Sequence, residues 1–380
     1  MNIKDLYNWL ELHESTIKEA GMRHDQNGTF PFDNLNLLRE AGYTGLTVPE
    51  SLGGFGADLN EMLHLQQRLA KADGATALSI GWHVGLIYHT GSYDLWKGDH
   101  FEKLCAQALK GSLFNTAATE KATGSPTRGG KPETTAVKSG GAWVLNGRKT
   151  FTTMAPALDF AAVTATVEET EEVSQFFVPM NTEGIEIEET WDSIAMKGTG
   201  SHDLLLTDVK VPLDHKIELT IAEKEIVHGW LLHIPACYLG IAEAAFEYAL
   251  DFSLSYSPNS LNGTISDTAH VREKLGRMEL LYRQSEAVLY DTARKFEEAS
   301  FEEKRLWKGQ LAAAKHTVTN NAVDIVDLAM RITGARSLSR ENPLQRYYRD
   351  VRAGLHNPPM DDAVISLLAE EAIVHRRQGK

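Results

Sequence analysis

Cysteine is scarce in this chain: Cys105 and Cys237 are its two cysteines, far apart and without a CxxC companion. That spacing argues against both a disulfide framework and a zinc site, so buried reduced thiols are expected. Clusters of basic residues are also missing. Lys and Arg number 38 against 52 Asp and Glu, for a formal net charge of -14. A nucleic-acid partner is therefore not expected, because neutralising phosphates takes grouped cations. The opening stretch MNIKDLYNWLELHESTIKEAG breaks its apolar positions with charges; no signal peptide or membrane anchor is expected, and the cytoplasm is the expected compartment. Fourteen histidines occur without an HExxH or similar spacing, so a metal centre is not expected either. Internal repeats and low-complexity segments are absent.

What is present fits an enzyme of two or three domains. The chain has 380 residues, 42% hydrophobic and 24% charged, which is enough to bury more than one core. Apolar residues recur at helical spacing up to about Gly111, as at Ile3, Leu6 and Leu10 and again at Leu59, Met62, Leu63 and Leu69. Pro49 with Gly53, Gly54 and Gly56 interrupts them with a loop. From Ser112 to about His215 the pattern changes to short runs rich in Val, Thr, Phe and Ile, separated by Gly, Asn and Asp. There Asn146-Gly147 reads as a type I′ hairpin between strands Ala142 to Leu145 and Arg148 to Thr153. The acidic run Glu168 to Glu172 reads as a solvated loop. Helical spacing then returns over Ile226 to Leu254, where Pro235 should start or kink the helix, Thr268 to Phe296, Lys304 to Thr333 and Asp361 to His375.

Four segments, in order, carry a family resemblance: VPESLGGFGAD (Val48 to Asp58), TAATEKATGSP (Thr116 to Pro126), LNGRKTFTTMA (Leu145 to Ala155) and WDSIAMKGTGSHDLLLTDVKVP (Trp191 to Pro212). Together they resemble the acyl-CoA dehydrogenase superfamily. The resemblance implies an α+β protein of the acyl-CoA dehydrogenase fold: an N-terminal all-α domain over 1–111, a flavin-binding, β-barrel-like middle sheet domain over 112–216, and a C-terminal four-helix bundle over 217–380. It implies FAD, with FMN open, held by Thr116, Ala118, Thr119 and Ser125 on one segment and by Phe151, Thr152 and Thr153 on the next. Phe151 would stack on the flavin, where Trp is usual in the family, and Thr153 would meet N5. It also implies a homotetramer or homodimer, an acyl-CoA or other small-molecule substrate, and an electron-transfer flavoprotein or flavin reductase as partner.

The sequence departs from the family at the base. A glutamate normally follows the family's Arg-Asp pair, but after Arg349-Asp350 this chain reads VRAGLHNPPMDDAVI, which puts Pro358 at about that position. The alternative position, on an earlier helix, falls near Trp230. Neither side chain accepts a proton. His356, Asp361 and Asp362 are the nearby candidates, with the two aspartates doubling as an N-cap and first-turn acid. Leu355-His356-Asn357-Pro358 is similar to a Leu-His-Asp-Pro segment of flavin monooxygenases sharing the fold. By that similarity His356 would lie by the flavin and supply a proton. The family's Arg-x-x-Phe-Gly loop is replaced by SPNSLNGTISDTAHV, and Arg336 stands as a substitute phosphate contact. Three functions follow: an acyl-CoA dehydrogenase-type oxidoreductase with a displaced base, a monooxygenase fed with reduced flavin, or a non-catalytic, flavin-free relative.

Overall fold

The computed structural model describes residues 2–124, 130–221 and 226–378. Five helices come first: α1 (Ile3–Asn27), α2 (Phe32–Glu40), α3 (Leu59–Ala72), α4 (Gly74–Ser92) and α5 (His100–Ala108). Eight strands follow, β1 (Phe114–Ala117), β2 (Thr135–Ser139), β3 (Ala142–Thr152), β4 (Phe160–Val167), β5 (Val173–Pro179), β6 (Ile185–Glu188), β7 (His202–Pro212) and β8 (Lys216–Ile217). The chain ends with α6 (His233–Ser255), α7 (Ala269–Glu298), α8 (Phe301–Lys304), α9 (Lys308–Thr333), α10 (Pro343–Ala353) and α11 (Asp361–Arg377).

The first and last groups of helices share a core. Leu59, Met62 and Leu63 of α3 lie in one buried cluster with Leu239 and Ile241 of α6, Met278 and Leu289 of α7, and Val318 and Ile325 of α9. At roughly 1.5–3 kcal/mol per fully buried large aliphatic side chain, that cluster holds the two ends of the chain together. α6 is apolar and long enough to cross a membrane by composition, yet most of it is buried here as the central core helix. Pro235 sits in its first turn, where its missing N–H costs nothing. Cys105 and Cys237 are both free and buried.

The sheet runs β6-β7-β3-β2-β4-β5-β8, with β1 pairing parallel to β4. Its own core holds Trp143, Leu145, Val163, Phe176, Leu204 and Val209. The hairpin expected at Asn146-Gly147 is not there. β3 continues straight through those residues, broken by a register shift between Leu145 and Gly147. The glycine is needed for close approach instead, since a Cβ at Gly147 would lie 2.4 Å from Thr134 Oγ1. The turn is made earlier, between β2 and β3, where Gly140 and Gly141 both adopt positive φ (59° and 83°). Gly-Gly meets the type I′ requirement of positive φ at both central residues, and the backbone turns there.

A buried charge cluster joins the three regions. Arg346 of α10 donates to Asp73 at 3.2 Å, and Arg349 to Asp25 of α1 at 2.6 and 3.1 Å. Asp350 accepts from the backbone N–H of Met196, in the segment before β7, at 2.6 Å. Two arginines already balance Asp25 and Asp73, so the third carboxyl has no cation of its own. Burial pushes the Asp350 carboxyl up to about 7, with Arg346 opposing only part of the rise.

A carboxyl raised in the folded state favours the protonated form there. Its stabilising contribution is present below its ordinary value of 3.8 and is lost as pH rises through about 7. Asp350→Asn keeps an oxygen for the Met196 N–H and removes this titration. We expect urea midpoints of the variant to gain on those of the wild type from pH 5 to about pH 7 and to level off above it. A constant difference across that range would show that Asp350 does not titrate there.

Candidate active site

The residues that the resemblance assigns to a flavin lie along and just past β1 and at the end of β3, and the better defined of the two places is the end of β3. Phe151 has φ 55°, an uncommon conformation for a bulky residue, and leaves its ring 65% exposed. Trp191 meets that ring edge-on at 6.1 Å. Thr152 points the other way: it is buried and its hydroxyl has no partner among the described residues. Its side chain therefore faces the sheet interior, and only its backbone lies toward the edge that Phe151 and Thr153 present.

Thr153 follows at 9% exposure, and its backbone carbonyl accepts from Asn115 Nδ2 at 3.0 Å. Its hydroxyl lies 3.0 Å from Ser201 Oγ, which in turn lies 2.8 Å from Thr199 Oγ1. Thr199 donates onward to the Met196 carbonyl at 3.0 Å. The Met196 carbonyl also accepts from Trp191 Nε1 at 3.1 Å, so the two aromatic residues and the hydroxyl row share one support. Thr116, Ala118 and Thr119 run along and past β1, each half-buried. The Thr119 carbonyl accepts from Thr150 N at 2.8 Å, which ties this segment to β3. Ser125 lies outside the described residues.

An exposed aromatic face, a hydroxyl on the same edge and a half-buried strand alongside suit a flavin ring system. Behind them is a buried ion pair: Lys149 Nζ donates to Glu120 at 2.5 Å and to Thr164 Oγ1 at 3.1 Å. Glu120 also accepts from the backbone of Glu133 and Thr134 and from the Thr134 hydroxyl. Burial alone would raise the Glu120 carboxyl, but the Lys149 ammonium and the Thr134 hydroxyl hold it below the usual range. Burial lowers Lys149. Glu120 thus has its acceptors filled and serves the fold rather than the reaction.

On the C-terminal side, residues 354–360 form a loop between α10 and α11. His356 is exposed. The loop is seated on α6 by Asn357 Oδ1, which accepts from the Tyr238 hydroxyl at 2.5 Å. Pro358 occupies the middle of the loop, and Trp230 is buried in parallel stacking with His233 at 5.6 Å. Asp361 opens α11, its carboxylate taken by Lys315 at 3.3 Å and Asn320 at 2.9 Å on α9. Asp362 is exposed in the same first turn. Of the three titratable candidates, His356 is the exposed loop group, Asp361 joins two helices, and Asp362 favours the helix N-terminus.

Arg336 lies elsewhere, after α9, with its guanidinium over the Tyr256 ring at 4.3 Å. It borders a cavity of about 320 Å³ together with Phe252, His270, Lys274 and Thr333. The cations and aromatic platform suit a phosphate attached to a planar group. Sequence reasoning gave no role to Thr199, Ser201 or Trp191, although the fourth motif contains all three. Their signal was the run of small hydroxyl residues after Met196, which has meaning only once β3 and β7 are paired.

Three family models match along the chain: acyl-CoA dehydrogenase N-terminal domain over residues 11–95, middle domain over 115–209 and C-terminal domain over 222–355. The putative acyl-CoA dehydrogenase YdbM of Bacillus subtilis (strain 168) is 49% identical over 357 residues, covering 94% of this chain and 93% of the relative. Butyryl-CoA dehydrogenase from Megasphaera elsdenii superposes with a TM-score of 0.86 at 21% identity, covering 98% of both chains. The methanesulfinate monooxygenase MsuC from Pseudomonas fluorescens superposes equally well, with a TM-score of 0.86 at 20% identity, covering 99% of this chain and 97% of the other.

Removing one member of the buried pair should be costly, because the other charge is left without compensation. Lys149→Met is expected to lose about 3–5 kcal/mol of stability in chemical denaturation. The double variant Lys149→Met, Glu120→Gln should lose less than the sum of the two single changes. Strict additivity would mean that the two side chains do not interact.

Proposed function

The chain belongs to the acyl-CoA dehydrogenase family, and from that premise we propose that it is a flavin-dependent oxidoreductase whose reaction uses no carboxylate base, as in a monooxygenase supplied with reduced flavin by a separate reductase. One observation carries this reading. The two positions where the family resemblance puts the base hold Pro358 and buried Trp230, and the carboxylate next along the chain, Asp361, is engaged by Lys315 and Asn320. Abstraction of a carbon-bound proton needs a basic group held within hydrogen-bond reach. Oxygen chemistry needs a proton donor instead.

Bound flavin would supply the two electrons. The residues for it are Thr116, Ala118, Thr119, Phe151 and Thr153, with the Thr152 backbone, while Ser125 and Arg336 are the phosphate-side candidates. Phe151 would cover one side of the ring and keep water from it. His356, on a loop anchored by Asn357, would be the group that delivers and recovers a proton. Apolar side chains left exposed on α11, Ile365, Ile373 and Val374, and Leu280 on α7 support self-association of the C-terminal helices. FAD needs both the sheet edge and the Arg336 cavity, whereas FMN needs only the former.

The extent of identity to YdbM favours a second reading, dehydrogenation of an acyl-CoA thioester at a CH-CH bond, with electron-transfer flavoprotein as acceptor. The two readings separate in an anaerobic titration of flavin-loaded protein with an acyl-CoA panel. We expect the visible flavin band to persist. With free flavin, a flavin reductase and oxygen, we expect His356→Ala to slow substrate oxygenation at least tenfold and to raise hydrogen peroxide release. Bleaching by any acyl-CoA would replace the first reading with the second.

A further inference from the structure

The hydroxyl row behind the flavin edge has a direction. Thr199, Ser201 and Thr153 carry one hydroxyl proton each, and three hydroxyl hydrogen bonds connect them to each other and to the Met196 carbonyl, which also accepts from the Thr199 backbone N–H at 3.1 Å. A carbonyl only accepts, so the proton of Thr199 goes to Met196. Ser201 must then give its proton to Thr199, and Thr153 must give its own to Ser201. The reverse order forfeits the bond to the carbonyl and sets two oxygens against each other at 3.0 Å. All three residues are at least nine-tenths buried, where an unmade bond is costly.

The end of the row is fixed as well. Met196 has φ 52°, its N–H is held by Asp350 at 2.6 Å, and its carbonyl is shared with Trp191 Nε1. The carbonyl is therefore held from both sides of its turn and stays aimed at Thr199. Among the described residues Ser201 is the one partner of the Thr153 hydroxyl, and Asn115 takes the backbone carbonyl of Thr153 rather than its side chain. With its proton committed inward, Thr153 presents only lone pairs to whatever lies against it.

We propose that Ser201 and Thr199 are positioning residues that hold the Thr153 hydroxyl as an acceptor, so that the site selects reduced flavin, whose N5 carries a hydrogen, over oxidised flavin, whose N5 can only accept. This rests on the reading that places Thr153 at flavin N5. An acceptor facing N5–H makes a hydrogen bond, while the same acceptor facing bare N5 sets two lone pairs together. Selection of the reduced form also suits an enzyme that receives its flavin already reduced by another protein.

The test is the affinity of the full chain for FMN and for FAD by equilibrium dialysis, with each flavin oxidised and, under anaerobic conditions, dithionite-reduced. Wild type is expected to bind the reduced form at least tenfold more tightly, which corresponds to a rise of about 30 mV in the two-electron midpoint potential of the bound flavin. Ser201→Ala and Thr199→Val free the Thr153 proton to turn outward and should remove most of that preference. Thr199→Ser keeps the row and should restore it. Flavin bound without a preference for the reduced form, or a preference unchanged in Ser201→Ala of native circular dichroism, overturns the proposal alone. No binding of flavin in either state overturns it together with the assignment of the flavin site.

Discussion

The turn at Met196 is the point on which the edge formed by Phe151 and Thr153 and the domain junction both depend. Its N–H belongs to Asp350 of the C-terminal helices, and its carbonyl belongs to Trp191 and Thr199 of the sheet. Arg349 reaches the Ile194 carbonyl of the same segment and Asp25 of the N-terminal helices. A residue whose flanking peptides are both held cannot rotate without breaking bonds in two domains. Phe151 and Thr153 gain their fixed positions from that restraint, since the partners of both residues lead back to Met196. The strain of positive φ at Phe151, Met154 and Met196 is sustained by the same bonds.

Such a junction requires buried charge, and the protein balances it locally. Arg346 and Arg349 face Asp73 and Asp25, and Lys149 faces Glu120. Each pair adds little over an apolar pair of the same shape, because desolvation offsets most of the attraction. What the pairs provide is geometry. An arginine of the C-terminal helices and an aspartate of the N-terminal ones have few mutually satisfying arrangements, so the two groups of helices meet in one way. The helical core supplies most of the driving force, and the ionic contacts select among the packings that core would tolerate.

The broad architecture was legible in the sequence because apolar periodicity is local. α7, α9 and α11 begin and end within a few residues of the segments that their spacing marks. The first C-terminal helix starts later than its apolar run, since Gly229–Leu232 forms a separate short turn before His233. Asn146-Gly147 misled because turn chemistry and close approach both call for glycine, and only the neighbour Thr134, across the sheet, tells them apart. The charge cluster was not legible at all. Asp25, Asp73, Met196 and Asp350 are spread over most of the chain, and nothing in their immediate contexts marks them as neighbours. The hydroxyl row was half legible, as a run of small polar residues after Met196 with no partner until β3 and β7 are paired.

The loop that carries His356 and Pro358 is separable from everything above. α10 is anchored by Arg346, Arg349 and Asp350 before the loop begins, and α11 is anchored after it by Asp361 on Lys315 and Asn320. Between those anchors the Asn357 contact with Tyr238 seats the loop on α6. A carboxylate exchanged for proline there leaves the domain junction, the sheet edge and the shared helical core as they were. A relative can therefore share 49% identity with this chain over 357 residues without that identity alone fixing what the loop does. Likeness over the scaffold speaks for the fold and the family, and the loop speaks for the chemistry. In this chain the loop offers proline where the family pattern puts a carboxylate and an imidazole two residues earlier, and the Thr153 row behind the proposed flavin edge offers an acceptor. Both features fit a flavin that arrives with its electrons better than one that must collect them from a carbon–hydrogen bond.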